Sequence, residues 1–409
     1  MGKESNEKNV LCIGAGIEQL PTIQIAQKMG LKVIALDENS NAVGLQVADR
    51  GIVMDLRNTV KVIQLARELN IRCVLPVPLG AILTTVGVVN DALGLKGISE
   101  AAAKLCTDKL LTRQILAEAG LPTPKFAEAT DDESLLKAAE KIGYPVVVKP
   151  RYGSGSQGVF VARDKAEFLR WLPWHLEQRQ KYKEAEQSLI ESFVIGEEVG
   201  VDSIVISENH SIILIRDKEV TQLPFRLPFG YLAPTQVPVV IQKSIDEKLA
   251  KACMALGLKN CLIHADIIIS DSGEIVILDI SGRPSGFNIS AKMIPVVTGV
   301  EPIYQAIQLS LGYKTDFCSS YHQGAILRML SAPTGYFLAI EGIEEVRQMS
   351  GVVDVESFLE PGEMIQESRT GATGYRVGYL LTSGKTRDEA DLIWHKVANK
   401  IHFHMENNQ

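Results

Sequence analysis

The sequence predicts a protein of α/β and α+β class, with a doubly wound parallel domain first and an α+β domain last. Three observations lead there. Strand and helix patterns alternate over residues 10–100, a hairpin pattern occupies 261–284, and a mixed tail begins near residue 322. A length of 409 residues suggests two to four domains.

The elements follow in order. VLCIGAG (10–16) is an apolar run closing on glycines, and PTIQIAQKMG (21–30) is helix-like with a Gly stop. LKVIALDEN (31–39) reads as a second strand and ADRGIVMDL (48–56) as a third. TVKVIQLARELN (59–70) is an amphipathic helix, IRCVLPV (71–77) a strand and AILTTVGVVNDALG (81–94) a helix. Beyond residue 108 come two helices with Gly stops, 108–120 and 133–143, and then the short strand YPVVVKP (144–150). The turn RYGSGSQGVFVA (151–162), a charged helix over 167–186 and a strand–turn–strand over 187–206 come next. Residues 221–238 read as a long Pro-rich loop, with a helix over 244–256 after it. CLIHADIIIS and EIVILDISGRP form a hairpin about the Asp271-Ser272-Gly273 turn. Strands near GAILRML and YRVGYLLTSG and a last helix from Arg387 make up the tail.

Composition removes several function classes. Hydrophobic content of 46% and charged content of 22% are those of a soluble globular protein, and a net charge of -7 leaves no footprint for nucleic acid. No apolar run approaches the ~20 residues that a membrane span needs. The six cysteines lack any CxxC pair and read as reduced thiols of a cytoplasmic protein. MGKESNEKN is too polar for a signal peptide, and Asn6 stands where a myristoylation signal has Ser or Thr.

Four features carry chemistry. GAGIEQ (14–19) resembles a dinucleotide turn, with Asp37 placed like a ribose acid. Gln19 replaces the third glycine, so a plain strand-to-helix turn is the preferred reading over NAD. Lys149, inside an apolar strand, either snorkels or aims a cation at phosphate, and the GSGSQG loop (153–158) favours phosphate by offering close N–H groups and hydroxyls. Glu191 and Glu198 in IESFVIGEE fit a solvated turn or an adenosine site equally well. Asp266 and Asp279 sit on the two hairpin arms, where hard oxygen ligands suit a divalent cation and a structural ion-pair network is the alternative. Asp279, Ser281 and Arg283 recur at every second position and so share a strand face. Burying that face requires a partner for its charges.

In order along the chain stand Lys109 at a helix start, Lys149 in VVVKP, the GSGSQG loop, the IESFVIGEE hinge and HAD…LDISGRPSG. This constellation resembles the ATP-grasp carboxylate–amine ligases. Residues 322–402 resemble the C-terminal domain of the L-amino-acid ligase branch. The resemblance implies an ATP-grasp fold with a Rossmann-like pre-ATP-grasp domain over 1–107. It further implies a subdomain with lid and phosphate loop over 108–188, a subdomain with adenine hinge and metal site over 189–315, and a C-terminal α+β domain over 316–409.

The resemblance also assigns roles, position by position. Lys109 and Lys149 would contact ATP phosphates, beside a loop containing Ser154, Gly155, Ser156 and Gly158. Glu191 would meet the adenine amino group, Phe193 and Val194 the ring, and Glu198 the ribose. Asp266, Asp279 and Ser281 would hold Mg²⁺ or Mn²⁺. Arg283 would hold a carboxylate or acyl phosphate, and Arg283, Lys149 and Ser281 would carry catalysis. The family usually has Glu at both metal positions and Asn at position 281, so the ligands here are shorter. Ser285, Gly286 and Asn288 are expected to line the substrate pocket. Lys218 and Arg226, read as part of a loop over 216–238, would meet a substrate carboxylate or else solvent.

The implied reaction joins a small-molecule carboxylate, an amino acid, to an amine. The carboxylate attacks the γ-phosphate of ATP, and the amine then displaces phosphate from the acyl phosphate. Bicarbonate-dependent carboxyphosphate chemistry and non-catalytic ATP binding are the rival readings. A homodimer is left open.

Overall fold

The computed structural model describes residues 8–180, 187–320, 322–371 and 377–406. The N-terminal sheet contains β1 (Asn9–Ile13), β2 (Lys32–Asp37), β3 (Arg50–Val53) and β4 (Cys73–Val74), all parallel, in the order β3-β2-β1-β4. Helices cover both faces of such a sheet, which is why Val10 to Ile13 are apolar without alternation and fully buried. The helix Leu83–Leu93 ends at Gly94, whose φ of 65° places it in the left-handed region that glycine tolerates.

A second sheet is antiparallel: β5 (Phe126–Ala129), β6 (Val146–Pro150), β7 (Phe160–Ala162) and β8 (Ser188–Ser192), ordered β5-β8-β6-β7. The helices Asp132–Ile142 and Lys165–Gln180 belong with it, and Val146, Val148, Phe160, Phe168 and Ile190 form its core. Helix 167–186 is borne out as far as Gln180; residues 181–186 lie outside the described residues.

The largest sheet has eight strands. β9 (Gly196–Ile206), β10 (Asn209–Val220), β11 (Pro228–Ala233), β12 (Cys261–Ser270), β13 (Ile275–Ser281), β14 (Gly324–Met329), β16 (Val352–Glu356) and β18 (Tyr379–Gly384) run β13-β12-β9-β10-β11-β14-β18-β16. Because β11 pairs with β14, the sheet continues across residues 315 and 316. A small sheet of β15 (Gly335–Glu341), β17 (Met364–Ile365) and β19 (His402–Glu406) lies in the tail.

Two expectations are corrected. Residues 216–238 are not one loop, since β10 reaches Val220 and β11 fills 228–233. The charged stretch RDKE concealed the strand, because Arg216 and Lys218 are buried polar positions rather than solvent-facing ones. The helix expected over 244–256 begins at Val239, straight after Pro238, and ends at Ala255.

Candidate functional site

Strand alternation divides the large sheet into an apolar and a charged face. On β9, Val199 and Val201 are buried against the core, while Glu198, Gly200 and Asp202 take the other side. Residues directly opposite one another share a face, and the register sets His264 against Asp202, Arg216 and Asp266 against Gly200, and Tyr231 against Lys218. On β13, Asp279 stands opposite Asp266 and Ser281 opposite His264. The pairing jumps from Asp279 to Ile277, leaving Leu278 as an extra residue. That bulge keeps Ile277 on the apolar side and turns Asp279 onto the charged one.

A residue the sequence reading missed holds this bulge. Arg113, on the helix Lys109–Glu118, is buried and donates to the carbonyls of Ile277 (3.1 Å) and Leu278. Its Nε donates to Glu191 at 2.5 Å. Lys149 Nζ meets the other Glu191 oxygen at 2.5 Å. Burial would raise the Glu191 carboxyl, but Arg113 and Lys149 outweigh it and hold the group down at about 2. For Lys149 burial wins over Glu191 and lowers the ammonium to about 8. Glu191, expected at an adenine amino group, thus has both oxygens engaged by cations.

Lys109 donates to the Gly153 carbonyl at 2.6 Å, and burial lowers its ammonium against the pull of Asp279 and Glu191. The 153–158 loop is a chain of left-handed turns: φ is 64° at Gly155, 57° at Ser156 and 70° at Gly158. Arg151 anchors its stem with two bonds to Asp108, at 2.8 and 2.5 Å, and one to Glu128 at 2.6 Å. Ser154 approaches the N-terminal region so closely that a Cβ on Gly80 would lie 2.8 Å from its Oγ.

At the hinge between β8 and β9, Phe193 already donates its N–H to the Pro145 carbonyl at 3.0 Å. That donor is therefore not offered to a ring. Val194 is half-buried beside it. Glu198 is paired with Lys218 at 2.5 Å and with Arg226 at 3.2 Å, and Lys218 also reaches Asp266 at 2.9 Å. Burial would lower the Lys218 ammonium, but Asp266 and Glu198 more than offset it and keep the group charged. Arg226 lies over the Phe193 ring at 5.7 Å. Both cations are thus paired with carboxylates, Lys218 from β10 and Arg226 from the connection between β10 and β11.

Arg216 is fully buried and forms an ion pair with Asp202. It stacks on Tyr231 at 5.4 Å. A side chain opposite it would displace it, because a Cβ on Gly200 would come within 2.7 Å of the guanidinium carbon. Ser285 donates its hydroxyl to Asp202 and lies 2.9 Å from His264 Nδ1, so this expected substrate residue is bound into an internal network. Burial pushes His264 down to about 3, which keeps its imidazole neutral.

Asp279 and Ser281 contrast with that network, their side chains having no hydrogen bond or ion pair among the described residues. Arg283 donates to the neighbouring Pro284 carbonyl at 2.9 Å and is half-buried. Two facing carboxylates with a hydroxyl one turn of the pleat away are hard oxygen donors, a set that suits Mg²⁺ or Mn²⁺. Among the described residues no three His, Cys, Asp or Glu side chains cluster in a metal-holding group, and Asp266 is also paired with Lys218 at 2.9 Å.

Beyond Arg283, Phe287 and Asn288 are successive left-handed residues with φ of 53° and 59°. Glu18, also missed from sequence, reaches this turn from the first domain. Its Oε2 accepts from the Phe287 N–H at 2.8 Å, a Cβ on Gly286 would lie 2.6 Å from that oxygen, and its Oε1 is buried with no hydrogen-bond partner among the described residues. Burial raises the Glu18 carboxyl to about 7. Nothing in GAGIEQ signalled this reach, which exists only through the packing of two distant segments.

The GAG turn itself is closed by the protein's own side chains. Asp37 accepts from Ala15 N at 2.7 Å and Asn39 N at 2.8 Å. Gln19 accepts from Gly16 N at 3.0 Å and donates to the Pro78 carbonyl. That closure supports the plain-turn reading over NAD.

A family model described as "ATP-grasp domain" matches residues 142–291, and one described as "L-amino acid ligase C-terminal domain 2" matches 328–406. An uncharacterized protein of Sinorhizobium fredii is 28% identical over 319 residues, covering 78% of this chain and 65% of that protein; the chain thus spans slightly less than two thirds of that relative. A formate-dependent phosphoribosylglycinamide formyltransferase of Sulfurisphaera tokodaii is 23% identical over 418 residues, 96% of each chain. The crystal structure of an L-amino acid ligase from Bacillus licheniformis matches with a TM-score of 0.82 at 23% identity, covering 98% of this chain and 99% of that one. At that identity the structural likeness establishes the shared fold.

Proposed function

Since the chain carries an ATP-grasp domain and an L-amino acid ligase C-terminal domain, we propose that it is an ATP-dependent ligase joining an amino-acid carboxylate to an amine. The observation that carries the reading is the single charged face on which Asp266 and Asp279 stand in register, together with Lys149 tied to Arg113 through Glu191 and Lys109 bonded to the 153–158 loop at Gly153. Asp266, Asp279 and Ser281 would hold Mg²⁺, which when bound neutralises phosphate charge. Lys109 and Lys149 are desolvated cations suited to ATP phosphates. Arg283 supplies a planar fork for the substrate carboxylate.

The carboxylate oxygen attacks the γ-phosphorus and ADP leaves, forming an acyl phosphate. The amine nitrogen then attacks the acyl carbon, the C–O bond to phosphate breaks, and one proton is lost from nitrogen. Small residues at 153–158 suit a lid that keeps water from the acyl phosphate. The test is phosphate release from ATP with Mg²⁺ against amino acids singly and in pairs, with formate and bicarbonate as comparison acids. Turnover needing an amino acid and an amine supports the reading. Turnover with bicarbonate alone, or with formate but with no amino acid, overturns it.

A further inference from the structure

A short segment of the C-terminal region lies on the phosphate loop. Gly371 N donates to the Gly155 carbonyl at 3.0 Å. The fit is close: a Cβ on Gly371 would stand 3.3 Å from the Gly155 oxygen and 3.6 Å from Phe287 Cζ. Two residues earlier, the Arg369 guanidinium lies over the rings of Trp171 (5.8 Å) and Phe225 (6.0 Å). Those rings pack edge to face at 4.9 Å, and Trp174 closes on Phe225 at 5.0 Å. Trp171 belongs to the helix Lys165–Gln180 on the lid sheet. Phe225 follows Pro224, whose carbonyl accepts from Val161 N on β7 at 2.8 Å. One short strap therefore touches the loop, the helix behind it and the turn of the large sheet beside Phe287.

We infer that residues 369–371 are a clasp on the phosphate lid, with Arg369 as the positioning residue that sets Gly371 against Gly155. The cation holds two aromatic faces of the lid side, which fixes the strap. The strap in turn holds the backbone of a loop whose own turns, Gln157 N to the Ser154 carbonyl and Val159 N to the Ser156 carbonyl, close at 3.4 Å. Resting on the ligase reading above, the clasp also decides whether an acyl phosphate meets an amine or water.

The test is hydrogen exchange of residues 153–158 in the full-length protein, without and with ADP and Mg²⁺. Arg369→Ala should speed exchange of these amides by about fivefold, the scale of one cation–π contact. Arg369→Lys, which keeps a cation over the rings, should stay within about twofold of wild type. Gly371→Ala, which crowds the Gly155 oxygen, should also speed exchange. A merely structural role for Arg369 would raise exchange across the C-terminal sheets and leave the loop no faster than its surroundings, and that result overturns the clasp. These readouts need no acceptor, so they stand if no ligase activity is found. With an active substrate pair, Arg369→Ala should lower amide formed per phosphate released by about half while wild type stays near one to one. An unchanged ratio together with unchanged loop exchange sinks the idea.

Discussion

Two clusters, built on one face of the large sheet and on the segment just past the end of β13, are finished differently. The inner one, Asp202–Arg216–Ser285–His264, spends its charges internally: the guanidinium takes a carboxylate and a ring, and the hydroxyl takes the same carboxylate. The side chains of the outer one, Asp279–Ser281–Arg283, make one hydrogen bond among the described residues, and that is to the adjoining Pro284 carbonyl. A buried charge with no partner is costly, whereas a paired network is rigid, and among the described residues the Arg216 Nε is the one guanidinium nitrogen of the inner cluster left without a hydrogen bond. The inner cluster is therefore architecture that aims the outer one, and the outer one is where a ligand's charge is expected.

That contrast breaks most sharply at Arg216. Arg216→Met leaves Asp202 buried and uncompensated, and thermal or denaturant unfolding should show a loss of about 3–5 kcal/mol. Loss of activity without loss of stability would place Arg216 with the outer cluster instead. Asp279→Asn is the reverse case. It should lower ATP turnover by about a hundredfold, on the scale of removing one electrostatic contact to a transition state, while Tm moves little. If the Asn variant unfolds readily and keeps its turnover, the two clusters have been assigned the wrong way round.

The smallest effect is a pH limb. Burial brings Lys149 down to about 8 from the usual lysine range. ATP affinity measured by calorimetry should therefore fall as pH rises through about 8, where the folded protein loses this cation. The linked stability has the opposite sign. Between about 8 and the ordinary lysine pKa of about 10.4 the unfolded chain binds the extra proton, so this group's contribution to stability rises with pH there. An affinity flat to pH 10 would show that Lys149 stays charged or lies apart from phosphate.

Much of the fold was legible because it rests on local rules. The alternation over 10–100 gave the parallel sheet, and Asp271-Ser272-Gly273 gave the hairpin of β12 and β13. The 279–281–283 periodicity placed those residues on one face, and the structure puts Asp279 and Ser281 there. β10 was obscured because period-two patterning marks a strand only when one of its faces is wet or apolar, and here the second face is charged and buried. Arg113 and Glu18 look like ordinary helix and turn residues in sequence. Their roles arise from contacts 164 and 269 positions away along the chain, at the Ile277 carbonyl and the Phe287 N–H.

The sequence alone determined most element types outside 216–238, the shared face of Asp279 and Ser281, and the order of lysine, glycine loop, hinge and hairpin, because turn chemistry and alternation act over a few residues. Tertiary structure decided which of those charges are spent. Lys218 and Arg226 close on Glu198, Glu191 is shared by Arg113 and Lys149, and Asp279 keeps its oxygens. Pairing depends on which side chains the sheet register brings within about 3–4 Å, and register is a property of strands far apart in the chain.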